Sequence, residues 1–193
     1  MSTLELIGSA LGVINVVLTI RRNIWNYPFG LAMVLVYGAV FYQARLYSDT
    51  LLQLYFFVVQ IYGWRNWLGG KAEDGRVRVE MLTPGQRAIW LIFTLMGAVL
   101  LGWTFSRYTN AVAPWADALI AALSVSAQFL LSIRKFEAWI LWIAVDSLAV
   151  ALFYSRGLIP TTILYAIFLL LAVGGLLAWR KRLSVKIAEG MAQ

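Results

Sequence analysis

The chain has 193 residues, 62% apolar and 13% charged, with a mean hydropathy of +0.77, whereas a soluble domain is about 45–50% apolar and about 25% charged. That composition excludes a water-soluble fold, and the lack of cysteine and histidine excludes disulfides, zinc and haem sites and every Cys- or His-based catalytic device. The net charge of +7 and pI near 9.9 do not point to nucleic acid, because the basic residues form short clusters between apolar runs and not one continuous face.

At about 20 residues per membrane span, this length suits seven spans with short connections in a single membrane domain. The first, 4–20, follows an N-terminus without a positive segment and with Glu5, and no small-residue cleavage site succeeds it. It is therefore expected to stay as a helix and not to be cleaved as a signal peptide. The second, 24–43, has Pro28 in its first turns, where a missing N–H is tolerated, although a hinge proline is the alternative. The third, 50–68, places Gln53, Gln60, Trp64 and Trp67 at spacings of 7, 4 and 3, so they share one face. The fourth, 88–106, has only Thr94 and Thr104 as polar interior residues and reads as a lipid-facing spacer. The fifth is 115–133. The sixth, 138–154, puts Trp139, Trp142 and Asp146 on one stripe, and the seventh, 158–179, starts near Pro160 and precedes a tail at 180–193.

An odd number of spans puts the termini on opposite sides. The first, third and fifth loops and the tail hold Arg21, Arg22, Arg65, Lys71, Arg76, Arg78, Arg87, Arg134, Lys135, Arg180, Lys181, Arg182 and Lys186, which is 13 of the 16 Lys and Arg. Only Arg45, Arg107 and Arg156 lie opposite. The positive-inside rule then places the N-terminus outside and the C-terminus in the cytoplasm.

A shift of 112 residues lays 10–67 on 122–179 without a gap and with 15 identities in 58 positions, among them Arg22/Arg134, Phe41/Phe153, Tyr42/Tyr154, Leu46/Leu158, Gly63/Gly175 and Trp67/Trp179. The expected fold is all-α: repeat 1 (about 4–68) and repeat 2 (about 115–179), two parallel three-helix units joined by the linking helix (about 88–106), a 3+1+3 plan. Carriers of this parallel-repeat type bind between the repeats near the midplane.

A charge at the bilayer centre costs about 2.5–3.5 kcal/mol on insertion scales and normally faces a cavity or a partner. Asp146 is the one acid midway along a span, and its repeat partner is Val34. An anion beneath aromatic walls suits a cation, so the expected substrate-binding set is Gln53, Gln60, Trp64, Trp139, Trp142 and Asp146, with Asn15, Gln128 and Tyr165 as additional cavity residues. The competing reading makes the amides interhelical hydrogen-bonding groups and Trp25, Trp67, Trp115 and Trp179 interfacial belt residues. No metal ligand cluster, phosphate loop or cofactor motif is present in the sequence, so no cofactor is expected.

The motifs Trp25-Asn26-Tyr27-Pro28-Phe29-Gly30, Phe41-Tyr42-Gln43-Ala44-Arg45-Leu46-Tyr47, Leu51-Leu52-Gln53-Leu54-Tyr55-Phe56, Ile61-Tyr62-Gly63-Trp64-Arg65-Asn66-Trp67 and Trp139-Ile140-Leu141-Trp142 with Asp146 together resemble the PnuC family of nicotinamide riboside transporters, over nearly the whole chain. In that family the position of Asp146 is Asp or Asn, that of Gln60 can be another small polar residue, and relatives include thiamine and riboflavin carriers. The resemblance implies a SWEET-like plan, a homotrimer in the bacterial inner membrane, and facilitated uptake of nicotinamide riboside for NAD synthesis. Uptake would be made one-way by a cytoplasmic nicotinamide riboside kinase. A thiamine or other B-vitamin facilitator is the alternative. An integral membrane enzyme lacks a nucleophile–base pair or metal site here, and a structural subunit would leave the polar stripe without a role.

Overall fold

In hydrocarbon an unpaired backbone N–H or C=O costs several kcal/mol, so an apolar run that stays in the membrane must satisfy its own backbone as a helix. The computed structural model describes residues 3–45, 47–70, 75–109 and 113–191; Leu46, Lys71 and the side chains of Tyr47 and Lys186 lie outside what is described. Seven helices follow in order: α1 (Thr3–Ile20), α2 (Asn26–Gln43), α3 (Tyr47–Gly69), α4 (Pro84–Tyr108), α5 (Pro114–Ser132), α6 (Ala138–Ser155) and α7 (Ile159–Met191). No strand occurs among the described residues. By length and composition, α1, α4, α5, α6 and α7 are apolar enough to cross a membrane. α3 is less apolar because it carries Asp49, Gln53, Gln60, Arg65 and Asn66.

Two helices depart from the expected limits. α4 begins at Pro84, before the expected 88, because Thr83 and Gln86 form a reciprocal capping box and Pro84 takes the first helical position. α7 runs through the charged 180–186 stretch to Met191, so the segment expected as a separate tail is a continuation of the helix. Charge alone does not end a helix, and no proline intervenes.

The internal repeat is visible in the backbone itself. Arg22 and Arg134 both adopt left-handed φ, at 57° and 63°, and Arg45 and Gly157 do so at 59° and 70°. Each pair is 112 residues apart. At these helix ends the residue after the left-handed one reaches back five residues: Asn23 N–H to Leu18 O (2.9 Å), Lys135 N–H to Leu130 O (2.9 Å) and Leu158 N–H to Phe153 O (3.0 Å).

Packing follows the same two-fold relation. Within the halves α1 packs on α2 and α2 on α3, and likewise α5 on α6 and α6 on α7. Between halves the contacts are α3 on α5 and α7 on α1, a pair that the repeat exchanges. α4 packs on α5 alone, leaving Ile92, Met96, Val99 and Leu100 exposed as expected of a lipid-facing spacer. Its Thr94 Oγ1 donates to Trp90 O (2.8 Å) and meets the Ser126 hydroxyl at 2.7 Å.

At the end of the bundle holding the C-termini of α1, α3 and α5, four rings close the axis. Tyr27 meets Trp67 edge-on (5.3 Å, 90°), their repeat partners Trp139 and Trp179 do the same (5.6 Å, 84°), and Trp67 meets Trp179 at 6.2 Å. Trp67 and Trp179 are therefore core residues and not the belt residues their position near span ends implied; Trp25 and Trp115 are exposed. Residues 75–83 cross beneath this closure and bury Val77, Val79 and Leu82. They are fastened to the α5–α6 turn by Glu80 N–H to Arg134 O (3.0 Å) and Phe136 N–H to Glu80 O (2.9 Å). Glu80 also pairs with Arg134 (3.1 Å) and Lys135 (2.8 Å).

Two measurements check this packing. A Cβ on Gly175 would stand 2.6 Å from the Trp139 ring, whereas one on Gly174 meets open space. Gly175→Ala should lower the thermal midpoint in detergent by the equivalent of about 1–3 kcal/mol, while Gly174→Ala should leave it unchanged or raise it. The Lys135 ammonium, aided by Arg134 and opposed by partial burial, holds the Glu80 carboxyl below its usual range. Because the folded value is the lower one, this contribution is present above the unfolded carboxyl value of about 4.3 and is lost as pH falls through the folded value. The midpoint should drop on acidification below about pH 5, and less steeply in Glu80→Gln.

Candidate functional site

Repeat-related helices that meet at one end and diverge toward the other leave a space on their axis. That space is a cavity of about 650 Å³ lined by all six helices of the two repeats, within the about 300–1,000 Å³ usual for small-molecule sites. Its wall is made of repeat-related pairs: Val16/Gln128, Thr19/Leu131, Val34/Asp146, Phe41/Phe153, Gln53/Tyr165, Phe56/Phe168 and Gln60/Ala172. The cavity thus straddles the pseudo-two-fold axis. One end is rimmed by Glu5, Leu158 and Pro160, of which Leu158 and Pro160 are exposed; the other stops at buried Thr19, Trp139 and Ala172, above the aromatic closure.

The pairs share position and differ in chemistry. Where repeat 1 has Gln60 and Asn15, repeat 2 has alanines, Ala172 and Ala127; where repeat 2 has Asp146 and Gln128, repeat 1 has Val34 and Val16. The polar groups come from complementary places in the two halves. Asp146 is 4% exposed, lines the cavity, and has no hydrogen bond or ion pair to any described residue. The amides of Gln53, Gln60 and Gln128 likewise make no hydrogen bond to another described residue. Asn15 is held: its Nδ2 donates to Asn26 O at 2.8 Å. Trp139 is 2% exposed and its Nε1 has no partner. A buried donor or carboxylate without a partner carries a desolvation penalty that a ligand of matching chemistry removes.

Of the nine residues singled out from sequence, Asn15, Gln53, Gln60, Gln128, Trp139, Trp142, Asp146 and Tyr165 line this one cavity. Trp64 does not; its ring lies parallel to Tyr27 (6.4 Å, 6°) and packs with the closure below. The α3 stripe is continuous, but the cavity ends before the stripe does. Beyond the expected Trp142 and Tyr165, sequence reading missed aromatic wall residues: Tyr37, stacked on Phe41 (5.7 Å), Phe153, stacked on Tyr165 (5.2 Å), and Phe56, tilted against Trp142 (6.5 Å). The identities Phe41/Phe153 and Phe56/Phe168 carried that signal, since an aromatic kept at both symmetry-related positions of a void lines it twice.

Gly30 explains how the amides fit. A Cβ there would collide with the Gln60 amide and stand 2.6 Å from Asn15 Nδ2. Its repeat partner is Trp142, so the side chain absent from α2 leaves room for two amides, and the indole present on α6 makes a wall.

A polytopic helical protein with a carboxylate, free amides and aromatic walls in a central cavity between parallel three-helix repeats is a membrane transporter by fold and site. The chain belongs to the nicotinamide mononucleotide transporter family, whose profile matches residues 2–181. It is 25% identical to the nicotinamide riboside transporter PnuC of Escherichia coli over 93% of this chain and 85% of that protein. It is 30% identical to PnuC of Neisseria mucosa (93% and 73%), and 29% identical to the riboflavin/roseoflavin transporter RibM of Streptomyces davaonensis (96% and 90%). A crystal structure of the vitamin B3 transporter PnuC superposes with a TM-score of 0.78 at 27% identity, covering 92% of this chain and 80% of that one.

Gly30→Ala, which drives the Gln60 and Asn15 amides into the cavity, should weaken ligand binding by about tenfold or more, roughly 1.4 kcal/mol. Gly38→Ala, whose Cβ would meet only Gln53 Cβ at 3.7 Å, should bind as the parent does. Calorimetric titration of both variants with nicotinamide riboside, the compound named for the PnuC relatives, checks this.

Proposed function

We propose that this chain imports nicotinamide riboside across the bacterial inner membrane by facilitated diffusion, with uptake made one-way by a cytoplasmic kinase that phosphorylates the product for NAD synthesis. The observation that carries the reading is Asp146: a buried carboxylate with no cationic partner among the described residues, facing an aromatic-walled cavity. A pyridinium cation supplies the missing charge and stacks on Trp142 and Phe56. The free amides of Gln53, Gln60 and Gln128 then serve its carboxamide and ribose hydroxyls.

With the N-terminus outside, as the distribution of Lys and Arg favours, the open rim faces outward and the aromatic closure faces the cytoplasm. The repeats then rock about the axis to pass the substrate inward. The assembly is proposed to be a homotrimer, following the family resemblance.

The RibM relative makes a flavin the reading to test against, and thiamine, another aromatic cation, the second. Riboflavin is neutral and leaves Asp146 unpaired. Calorimetry with nicotinamide riboside, thiamine and riboflavin on purified protein should rank the riboside first, and a clear preference for either of the others overturns the assignment. In proteoliposomes without any ion gradient, labelled riboside should equilibrate; if it does not, facilitated diffusion is wrong. Asp146→Ala should express normally and bind about thirtyfold more weakly, the loss of roughly 2 kcal/mol of charge interaction at an effective dielectric of about 20. Unchanged uptake in that variant would point to a structural role.

A further inference from the structure

The two seams between repeats are related by the pseudo-two-fold axis, yet at the closed end they are fastened differently. On the α3·α5 seam, Asn66 Nδ2 donates to Ser132 O (3.0 Å), Trp67 Nε1 to Leu131 O (3.1 Å), and Arg134 Nη1 to Asn66 O (2.8 Å). On the α7·α1 seam the counterpart of Asn66 is Ala178, and the buried Trp179 Nε1 has no partner. What packs there is apolar: Val16 and Ile20 of α1 with Leu176 and Ala178 of α7.

The counterpart of Arg134 is Arg22, and its Nη1 reaches Val77 O on the crossing segment at 3.0 Å. Val77 N–H in turn donates to Arg22 O at 3.4 Å. The same segment is bound to the other half through Glu80 and through Leu82 N–H, which donates to both Glu137 oxygens at 3.1 Å. It is also bound to α3 through Arg78 N–H to Gly70 O (2.9 Å). Residues 75–83 therefore tie the end of α1 to the α3·α5 side, across a seam where no helix-to-helix hydrogen bond or ion pair is found among the described residues.

We infer that the closed end opens along the α1·α7 seam, with α3·α5 as the hinge and residues 75–83 as the latch that holds α1 in place. This rests on the transporter reading, in which the closed end must open once per cycle. The latch has a mechanical logic. Its buried Val77 and Val79 pack against the four-ring closure, so release of Arg22 frees both the seam and the underside of the rings. Symmetry supplies two candidate seams, and the differing bonds select one.

The lack of native cysteine allows spin-label pairs on the full chain in liposomes. One pair replaces exposed Arg21, just after α1, and Arg182, within α7 one turn past Trp179; the other replaces exposed Gly69 and Ile140, across the α3·α5 seam. Arg22→Gly keeps the left-handed turn, which glycine adopts freely, and removes the guanidinium that grips Val77. It should raise the long-distance fraction of the Arg21/Arg182 pair by about tenfold, as expected for loss of a charge-assisted hydrogen bond, and leave Gly69/Ile140 unchanged. Glu80→Gln, which loosens the other anchor, should shift the same pair in the same direction. Lengthening of Gly69/Ile140 with Arg21/Arg182 fixed, or no change of either pair in both variants, overturns the inference. The distances are read without substrate. Failure of nicotinamide riboside to equilibrate would therefore sink the facilitator reading alone, and unchanged distances in variants that still transport would sink the latch alone.

Discussion

The contact of Trp67 with Trp179, 6.2 Å apart on the pseudo-two-fold axis, sets the geometry on which the rest depends. Each indole is fully buried and is met edge-on by the ring at the start of the preceding helix in its own half, Tyr27 or Trp139. Aromatic pairs of this kind contribute about 0.5–1.5 kcal/mol beyond area burial. Their larger effect here is spatial. Bulky rings hold the two halves in register at one end, and Gly63 and Gly175 let them lie directly on helix backbone, since a Cβ at Gly63 would stand 2.6 Å from the Tyr27 hydroxyl and one at Gly175 2.6 Å from the Trp139 ring. With one end so closed and the halves meeting only along α3·α5 and α1·α7, a void on the axis is unavoidable, and that void is the cavity.

On this symmetric frame the chemistry is deliberately unequal. A perfectly repeated chain would place two carboxylates across the axis in a low-dielectric space, where like charges repel strongly and neither is compensated by one cation. Val34 opposite Asp146 avoids that. Gly30 opposite Trp142 does the same for volume: two indoles would fill the cavity, and two glycines would leave one side without a wall. Duplication thus supplies the frame, and divergence at the lining positions makes the cavity asymmetric.

Most of the architecture is legible in the sequence because a membrane span must be both long and apolar, and because the repeat survives without a gap. Eight of the nine polar and aromatic residues picked from helical spacing share the cavity, since the side chains that hydrocarbon rejects have only the axis to face. Trp64 fails for a definite reason: periodicity fixes the face of α3 but not the depth at which the cavity ends, and that depth is set by Trp67 and Trp179 from different helices. The same limit hid the burial of those two indoles, because proximity to a span end is equally compatible with a belt and with a plug on the axis. In the sequence the crossing segment 75–83 shows only the basic residues Arg76 and Arg78. Its buried Val77, Val79 and Leu82 are separated by too few residues to announce packing without knowledge of what lies above them.

The facilitator proposed above would be under a thermodynamic constraint that bears on how this structure is fastened. Its end states must lie within a few kcal/mol of each other, or the minor state is too rare to carry flux. Interhelical hydrogen bonds in membranes average about 0.6 kcal/mol, so those on the α3·α5 seam, which include Tyr55 OH to Val125 O at 2.8 Å, hold it without locking it. The ion pairs of Glu80 stand at the water boundary, with that side chain 41% exposed, where such pairs are worth about 0–1 kcal/mol. The α1·α7 seam relies on apolar packing, and in a bundle already surrounded by lipid, apolar surface gains little from meeting another helix instead of a hydrocarbon chain. The costly groups, Asp146 and the unpaired amides, are all inside the cavity, where a ligand and not the conformational change decides their energy.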